Sequence, residues 1–287
     1  MSTTTDRRSF DVWRYQLPLP EADARLRIKR FETLGAAQAE RDHRIGILGR
    51  GNREQRRFAR KLERCRKGRR CKLSICTMCQ RRTRLWLIGQ IVALMAKDKV
   101  LFITIIPDKS SFKTGSLADA HPRRLLDRVR KQLTRCGIRG LVVGAVDGTH
   151  EADRGEYQVH IHALAGTSDR GALDSLRSYY PPTPTGSAAV VIQPVAATDL
   201  ASAAGYCFKT YWVERVRYRA RSGKRSSKMR RLAADQEREW LAWQAGHPPE
   251  SLLFLYGLRR RGDALCRLED TPGSETQPGC PASRCAQ

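Results

Sequence analysis

Between residues 100 and 215, short β-branched runs alternate with helical stripes in an order that few topologies accept. Val100-Leu-Phe-Ile-Thr-Ile-Ile106 is a continuous apolar run of strand length, the pattern of a buried strand. Leu125, Leu126, Val129 and Leu133 then make a helical stripe within Pro122 to Arg135, with proline in the first turn, where its missing N–H is not needed. Leu141–Val146 predicts a second strand, a Gly/Thr/Asp-containing turn follows it, and 157–164 predicts a third strand. A short helix is expected at 170–178, a fourth strand at 189–192 closed by Pro194, and a last helix from Asp199 to about Arg215. The order β-α-β-β-α-β is that of a split βαβ sandwich. The expected fold class is therefore α+β, an antiparallel sheet with helices on one face.

Charge adds a partner class. The 287 residues carry a formal net charge of +25, and the excess is clustered. Arg53–Arg84 holds fourteen Lys/Arg against two Glu, and Lys209–Arg231 holds ten against Glu214 alone. Two such windows are the electrostatic footprint of a polyanion binder, which makes nucleic acid the expected partner. No run approaches the roughly twenty apolar residues of a membrane span, and the start Met1-Ser-Thr-Thr-Thr-Asp lacks the form of a secretion signal. The expectation is a cytoplasmic protein with no membrane partner.

Cys65, Cys71, Cys76 and Cys79 place four thiols within fifteen residues of the first basic window. A Cys-x-x-Cys turn presents two thiolates to one ion, and two further cysteines complete a tetrahedral zinc site. Metal-coupled folding would order a loop whose cations otherwise repel one another. Arg66, Lys67, Arg69, Arg70, Arg81, Arg82 and Arg84 around it are the candidate DNA contacts. Cys136, Cys207, Cys266, Cys280 and Cys285 have no comparable spacing.

The expected organisation has five parts. A polar segment at 1–45, with Pro18 and Pro20 marking an extended stretch, precedes a basic zinc- and DNA-binding module at 46–95. The split-βαβ domain follows at 96–216, then a basic helical extension at 217–269. Within that extension Ser251–Leu258 is apolar enough to pack back onto the core. A tail at 270–287, with three Pro, two Gly and no aromatics, is expected to be disordered.

The chemistry concentrates in Tyr157-Gln-Val-His160-Ile-His162 and, 44 residues beyond His162, Tyr206-Cys-Phe-Lys209. Residues two apart in a strand share a face, so His160 and His162 project side by side and suit one metal ion. On a helix Tyr206 and Lys209 are i,i+3 neighbours. A tyrosine's reference pKa near 10 calls for activation, and an adjacent ammonium favours phenolate and neutralises a phosphate oxygen.

Taken together, these segments resemble the HUH endonuclease superfamily, and within it plasmid rolling-circle replication initiators. Phe102-Ile-Thr-Ile-Ile is similar to the family's first motif, His160-Ile-His162 to its second, and Tyr206-Cys-Phe-Lys209 to its third. Ile192-Gln-Pro-Val195 and Leu200 resemble the lead-in to that third motif, and basic cysteine-rich segments occur upstream in several such proteins. The resemblance covers roughly residues 60–215.

The resemblance implies that His160 and His162 hold Mg2+ or Mn2+, with Zn2+ at the cysteines. It implies a carboxylate as third ligand: Asp147 is the best placed, the family more often carries Glu there, and Glu156 and His150 lie in the same turn. Tyr206 would attack a phosphodiester of single-stranded origin DNA, leaving a 5′-phosphotyrosine and a 3′-hydroxyl primer, with origin DNA bound in both single- and double-stranded form. Rejoining at termination would use Tyr211 or water activated by Glu214. A host helicase and polymerase are implied partners, since no phosphate-loop motif is present. A transposase of the same superfamily and a non-catalytic zinc-module repressor are the other readings these residues allow.

Overall fold

The computed structural model describes residues 33–268 apart from 168, 183–187, 220–221 and 224. The first 32 residues, with Pro18 and Pro20, and the expected tail with Cys280 and Cys285 lie outside the described residues.

The described residues begin with three helices: α1 (Leu34–Gly49), α2 (Arg53–Glu63) and α3 (Thr77–Met95). The Thr33 side chain caps α1, and Asn52 with Gln55 forms a reciprocal capping box on α2, satisfying N–H groups that a helix start leaves open. Then come β1 (Val100–Ile105), β2 (Ser111–Lys113), α4 (Pro122–Arg135), β3 (Leu141–Glu151), β4 (Glu156–Gly166), α5 (Arg170–Asp174), β5 (Val190–Val195) and α6 (Leu200–Cys207). The described residues close with β6 (Val213–Arg219), β7 (Arg225–Arg230), α7 (Ala234–Ala245), β8 (Leu253–Tyr256), β9 (Leu258–Arg261) and β10 (Ala264–Arg267).

The main sheet runs β5-β1-β4-β3-β6-β7, with β2 on β4 and β8 on β3. The four strands expected from the sequence are all present and pair antiparallel. The whole sheet is mixed rather than antiparallel, because β6 joins β3 in parallel at Thr149–Glu151. Nor are the helices confined to one face. Leu101, Ile103 and Ile105 meet Leu126, Val129 and Leu133 of α4 on one side. Val100, Val143 and Leu164 meet Trp86 and Ile88 of α3 and Ala201 and Ala204 of α6 on the other. β4 is buried along all but its first residue, so both its faces must be covered, each large apolar side chain contributing about 1.5–3 kcal/mol.

Two boundaries moved, and both matter for the site. The turn expected after Val146 is strand as far as Glu151, with Gly148 tolerated because the Trp212 indole lies on it: a Cβ there would stand 2.6 Å from the ring. The last helix ends at Cys207 rather than near Arg215. Val213–Arg219 and Arg225–Arg230 pair as antiparallel strands instead of helix, since Val213, Val216 and Tyr218 favour a strand and Arg215 and Arg217 reach Glu151 at 3.0 and 2.7 Å. Beyond them, among the described residues, only Ala234–Ala245 is α-helical, and Ser251–Leu258 contributes β8 to the edge of β3. No described helix is long and apolar enough to cross a membrane.

Candidate functional site

The outer edge of β3 is paired to β8 over Val142–Ala145 and to β6 over Thr149–Glu151, which leaves Val146–Gly148 between two partners. Asp147 sits in that interval, directly opposite His160 in register, while His162 lies opposite Ala145 on one side and Thr104 of β1 on the other. Strand alternation puts Asp147, His160, His162 and Thr104 on the face covered by α3 and α6.

All three ligand-type residues are buried. Asp147 Oδ2 is 3.4 Å from His160 Nε2 and 3.1 Å from His162 Nε2, and the two Nε2 atoms are 3.1 Å apart. Outer partners orient the rings. His160 Nδ1 stands 3.1 Å from the Gln158 carbonyl, which can only accept, so Nδ1 carries the proton and Nε2 presents a lone pair. His162 Nδ1 is 3.0 Å from the Thr104 hydroxyl.

Three electron-rich atoms this close need a cation. The Lys209 ammonium supplies one, 2.7 Å from Asp147 Oδ2, an oxygen that is buried without a hydrogen bond of regular geometry. Burial by itself would raise the Asp147 carboxyl, but the Lys209 ammonium and the two imidazoles beside it hold it well below the ordinary carboxylate range. Burial likewise depresses His162, against the pull of Asp147, which favours the neutral, ligating form. The residues also fit a divalent ion. Ligands about 2.1 Å from an ion and at right angles stand about 3 Å apart, which the three observed separations approach. Two imidazoles and a carboxylate suit Mn2+ better than Mg2+.

Among the sequence candidates for the third ligand, only Asp147 is in this group. His150 turns to Thr114 and Glu214, at 3.0 and 3.3 Å. Glu156 is paired with Lys113 at 3.0 Å and with Arg154.

Tyr206 is half exposed at 50 %, its ring centred 5.1 Å from His162 and 5.8 Å from Phe102. Lys209 lies just past the helix end rather than on it. Its N–H donates to the Tyr206 carbonyl at 3.2 Å, and Nζ stands 5.2 Å from the Tyr206 ring centroid. The tyrosine and lysine are thus neighbours, as their spacing predicts, but through a tight turn. Both line a cleft of about 720 Å3 walled by α1, α3 and α7, which Tyr211 also lines. Glu214 is buried against His150 and Arg230, away from it.

The four cysteines converge as the spacing predicts. Their sulfurs approach within 3.6–3.8 Å, and none is in a disulfide. A tetrahedral zinc site with Zn–S of about 2.3 Å has sulfur–sulfur edges of about 3.8 Å, so the group fits zinc. Cys65 ends the segment after α2, an Arg66–Arg69 bridge turns the chain, and Cys76 and Cys79 begin α3, whose N-terminal dipole favours thiolate.

Of the seven candidate DNA contacts, Arg66, Lys67 and Arg69 are exposed and Arg70, Arg82 and Arg84 half-buried. Arg81 is buried, and Arg84 donates to the Gly205 carbonyl at 2.9 Å. The sequence reading missed Arg44, which is fully buried and touches both the cysteine loop and the turn after Lys209. An arginine in a helix that also carries Arg41 gives no signal that it will be inside.

The molecule is thus an α+β protein with a mixed sheet and, among the described residues, two groups able to hold metal, one of four cysteines and one of Asp147, His160 and His162. No protein-family profile, curated protein or solved structure matches this chain.

Proposed function

We propose that this protein is a DNA nicking–joining enzyme of the HUH type that initiates plasmid rolling-circle replication. The observation carrying this reading is the placement of a half-exposed Tyr206 against His162 and Lys209, beside the Asp147–His160–His162 group. The strand order β5-β1-β4-β3, with the histidines on a central strand, supports the same reading, as does the net charge of +25.

Asp147, His160 and His162 would hold Mn2+ or Mg2+, which when bound withdraws charge from a phosphate oxygen. Thr104 and the Gln158 carbonyl keep the imidazoles oriented. Tyr206 Oη attacks phosphorus. The P–O3′ bond breaks, the phenol gives up its proton, and the departing 3′-oxygen takes one up, leaving a 5′-phosphotyrosine and a 3′-hydroxyl. Burial by itself would lower Lys209, but the charge and hydrogen bond of Asp147, together with Tyr206 and Tyr211 nearby, raise it, so Lys209 stays protonated. It therefore acts as a fixed cation beside the phenol and not as the base. Attack of the 3′-hydroxyl on the phosphotyrosine reverses the step and rejoins the strand. The four-cysteine module, with Arg66, Lys67 and Arg69 outward, would grip origin duplex through its phosphates. At termination Tyr211 is the second nucleophile to test, since it lines the cleft and Glu214 does not.

The test uses single-stranded oligonucleotides covering the DNA beside the gene, each labelled at its 3′ end, with Mn2+. A labelled band surviving SDS, mapped to Tyr206 by peptide mass, is the expected result. A protein that binds these strands and forms no adduct is a binding module, and the enzymatic reading then falls.

A further inference from the structure

The turn that carries Tyr206 and Lys209 is held at both ends by arginines, Arg44 of α1 and Arg84 of α3, that also reach or ride with the cysteine module. On the far side, Thr210 follows Lys209, and its carbonyl accepts from Arg44 Nη2 at 2.5 Å. The same guanidinium donates through Nη1 to the Ile75 carbonyl at 2.9 Å, one residue before Cys76, and through Nε to Glu40 at 2.9 Å. It lies 5.1 Å from the Trp240 ring centroid. On the near side, the carbonyl of Gly205, one residue before Tyr206, accepts from Arg84 at 2.9 Å. Arg84 rides on α3, the helix that begins with Cys76 and Cys79. Thr77 Oγ1 donates to the Ala37 carbonyl at 2.5 Å, which ties the start of α3 to α1, the helix of Arg44.

A guanidinium buried this completely is held by what it bridges. Its planar fork can serve two carbonyls and a carboxylate at fixed angles, which an ammonium cannot. The two carbonyls Arg44 joins belong to one loop that a metal would order and one turn that carries the attacking residue. A shift of the first is passed to the second through one rigid group, and a displacement of about 1 Å at a nucleophile is worth on the order of 100-fold in rate.

We propose that the four-cysteine centre positions the nucleophile, with Arg44 and Arg84 as the links that set Tyr206 against His160 and His162. This gives the module a role besides gripping DNA, and it rests on the endonuclease reading above. Zn2+ in the cysteines would hold the Ile75 carbonyl and the first turn of α3. Arg44 and Arg84 carry that order to Thr210 and Gly205. They are positioning residues: Arg44 reaches Glu40 and the Ile75 and Thr210 carbonyls, and Arg84 reaches the Gly205 carbonyl.

The test compares the whole protein with Arg44→Met, Arg44→Lys and Arg84→Met. Zinc content, duplex-DNA affinity, single-strand cleavage in Mn2+ and hydrogen exchange of the 205–210 segment are measured for each. The Met variants should keep one zinc per chain and duplex affinity within about twofold, and lose at least tenfold in kcat at unchanged KM. Their 205–210 amides should exchange at least tenfold faster. Arg44→Lys, which cannot bridge two carbonyls, should recover little. Cys71→Ser combined with Arg44→Met should cost no more in kcat than the worse single variant, as for residues on one link. Additive losses, or unchanged exchange with unchanged kcat, overturn the proposal. If an Arg44 variant does not fold, Arg84→Met alone decides by the same readouts. A wild-type protein that forms no adduct removes the endonuclease reading by itself, while the exchange data still decide whether the cysteine centre orders this turn.

Discussion

Lys209 Nζ stands 2.7 Å from Asp147 Oδ2, the same oxygen that faces the Nε2 atoms of His160 and His162. One carboxylate oxygen therefore serves an internal cation and the place where a metal would sit. The two compete for it. Lys209→Ala should tighten Mn2+ binding, read by calorimetry, while lowering the rate of adduct formation. Weaker Mn2+ binding in that variant would mean that Lys209 assists the metal instead.

Asp147→Asn removes the charge and leaves the Lys209 ammonium buried and unpaired. Breaking a buried pair from one side costs about 3–5 kcal/mol, so the metal-free variant should unfold at lower urea. Mn2+ affinity should also fall at least tenfold. Stability equal to wild type would show that Lys209 finds another partner.

Tyr206→Phe removes only an exposed hydroxyl. Its unfolding free energy should stay within about 0.5 kcal/mol of wild type and DNA affinity within twofold, with the covalent adduct gone. An adduct that persists on Tyr211 would assign the attack to the other tyrosine of the cleft.

Gly148→Ala places a methyl group 2.6 Å from the Trp212 ring. Overpacking of this kind costs about 1–3 kcal/mol. Because Trp212 ends the segment that begins at Lys209, the variant should lower kcat as well as the thermal midpoint. A loss of stability with full activity would separate the two.

The acid response has a defined sign. Burial would raise Glu214, but Arg230 and the charge of His150 hold it below the ordinary carboxylate range; Glu40 is held low in the same sense by Arg44 and Arg231 against its own burial. Folded pKa values below the unfolded one, about 4.3 for Glu, contribute stability that is present above that pH. It is lost as pH falls through the folded values. Urea midpoints should therefore drop below pH 4.5, and Glu214→Gln should flatten that slope. An unchanged slope would place the acid sensitivity elsewhere.

Zinc should be found at one equivalent per chain. Cys76 and Cys79 are buried in a cluster that also holds Trp240 and Trp243 of α7, so Cys76→Ser should lower the thermal midpoint and blue-shifted tryptophan emission together.

Much of this was open to reading along the chain. The β-α-β-β-α-β order follows from periodicity because burial imposes its period on local sequence. His160 and His162 share a face because strand geometry demands it. The four cysteines met because a Cys-x-x-Cys turn already brings two sulfurs together. Three features were not local and so were not legible. Asp147 outranks Glu156 and His150 only through the β3–β4 register, where one step of slip turns a side chain to the other face. The helix after Leu200 stops at Cys207 because Trp212 packs on Gly148 and the following arginines reach acids on and beside β3. Arg44 is inside because two distant carbonyls and Glu40 converge on it.

The sequence by itself determined which groups are available: two imidazoles on one strand face, four thiolates in one loop, a tyrosine with a lysine one turn on, and the charge to hold a polyanion. Only the tertiary structure decided which carboxylate joins the imidazoles, that helices cover both faces of the sheet, and that the cysteine module reaches the tyrosine's turn. The reason is physical. Periodicity and turn chemistry act over a few residues, whereas register, burial of charge and close approach are settled by pairs far apart in the chain that become neighbours only when the whole core closes.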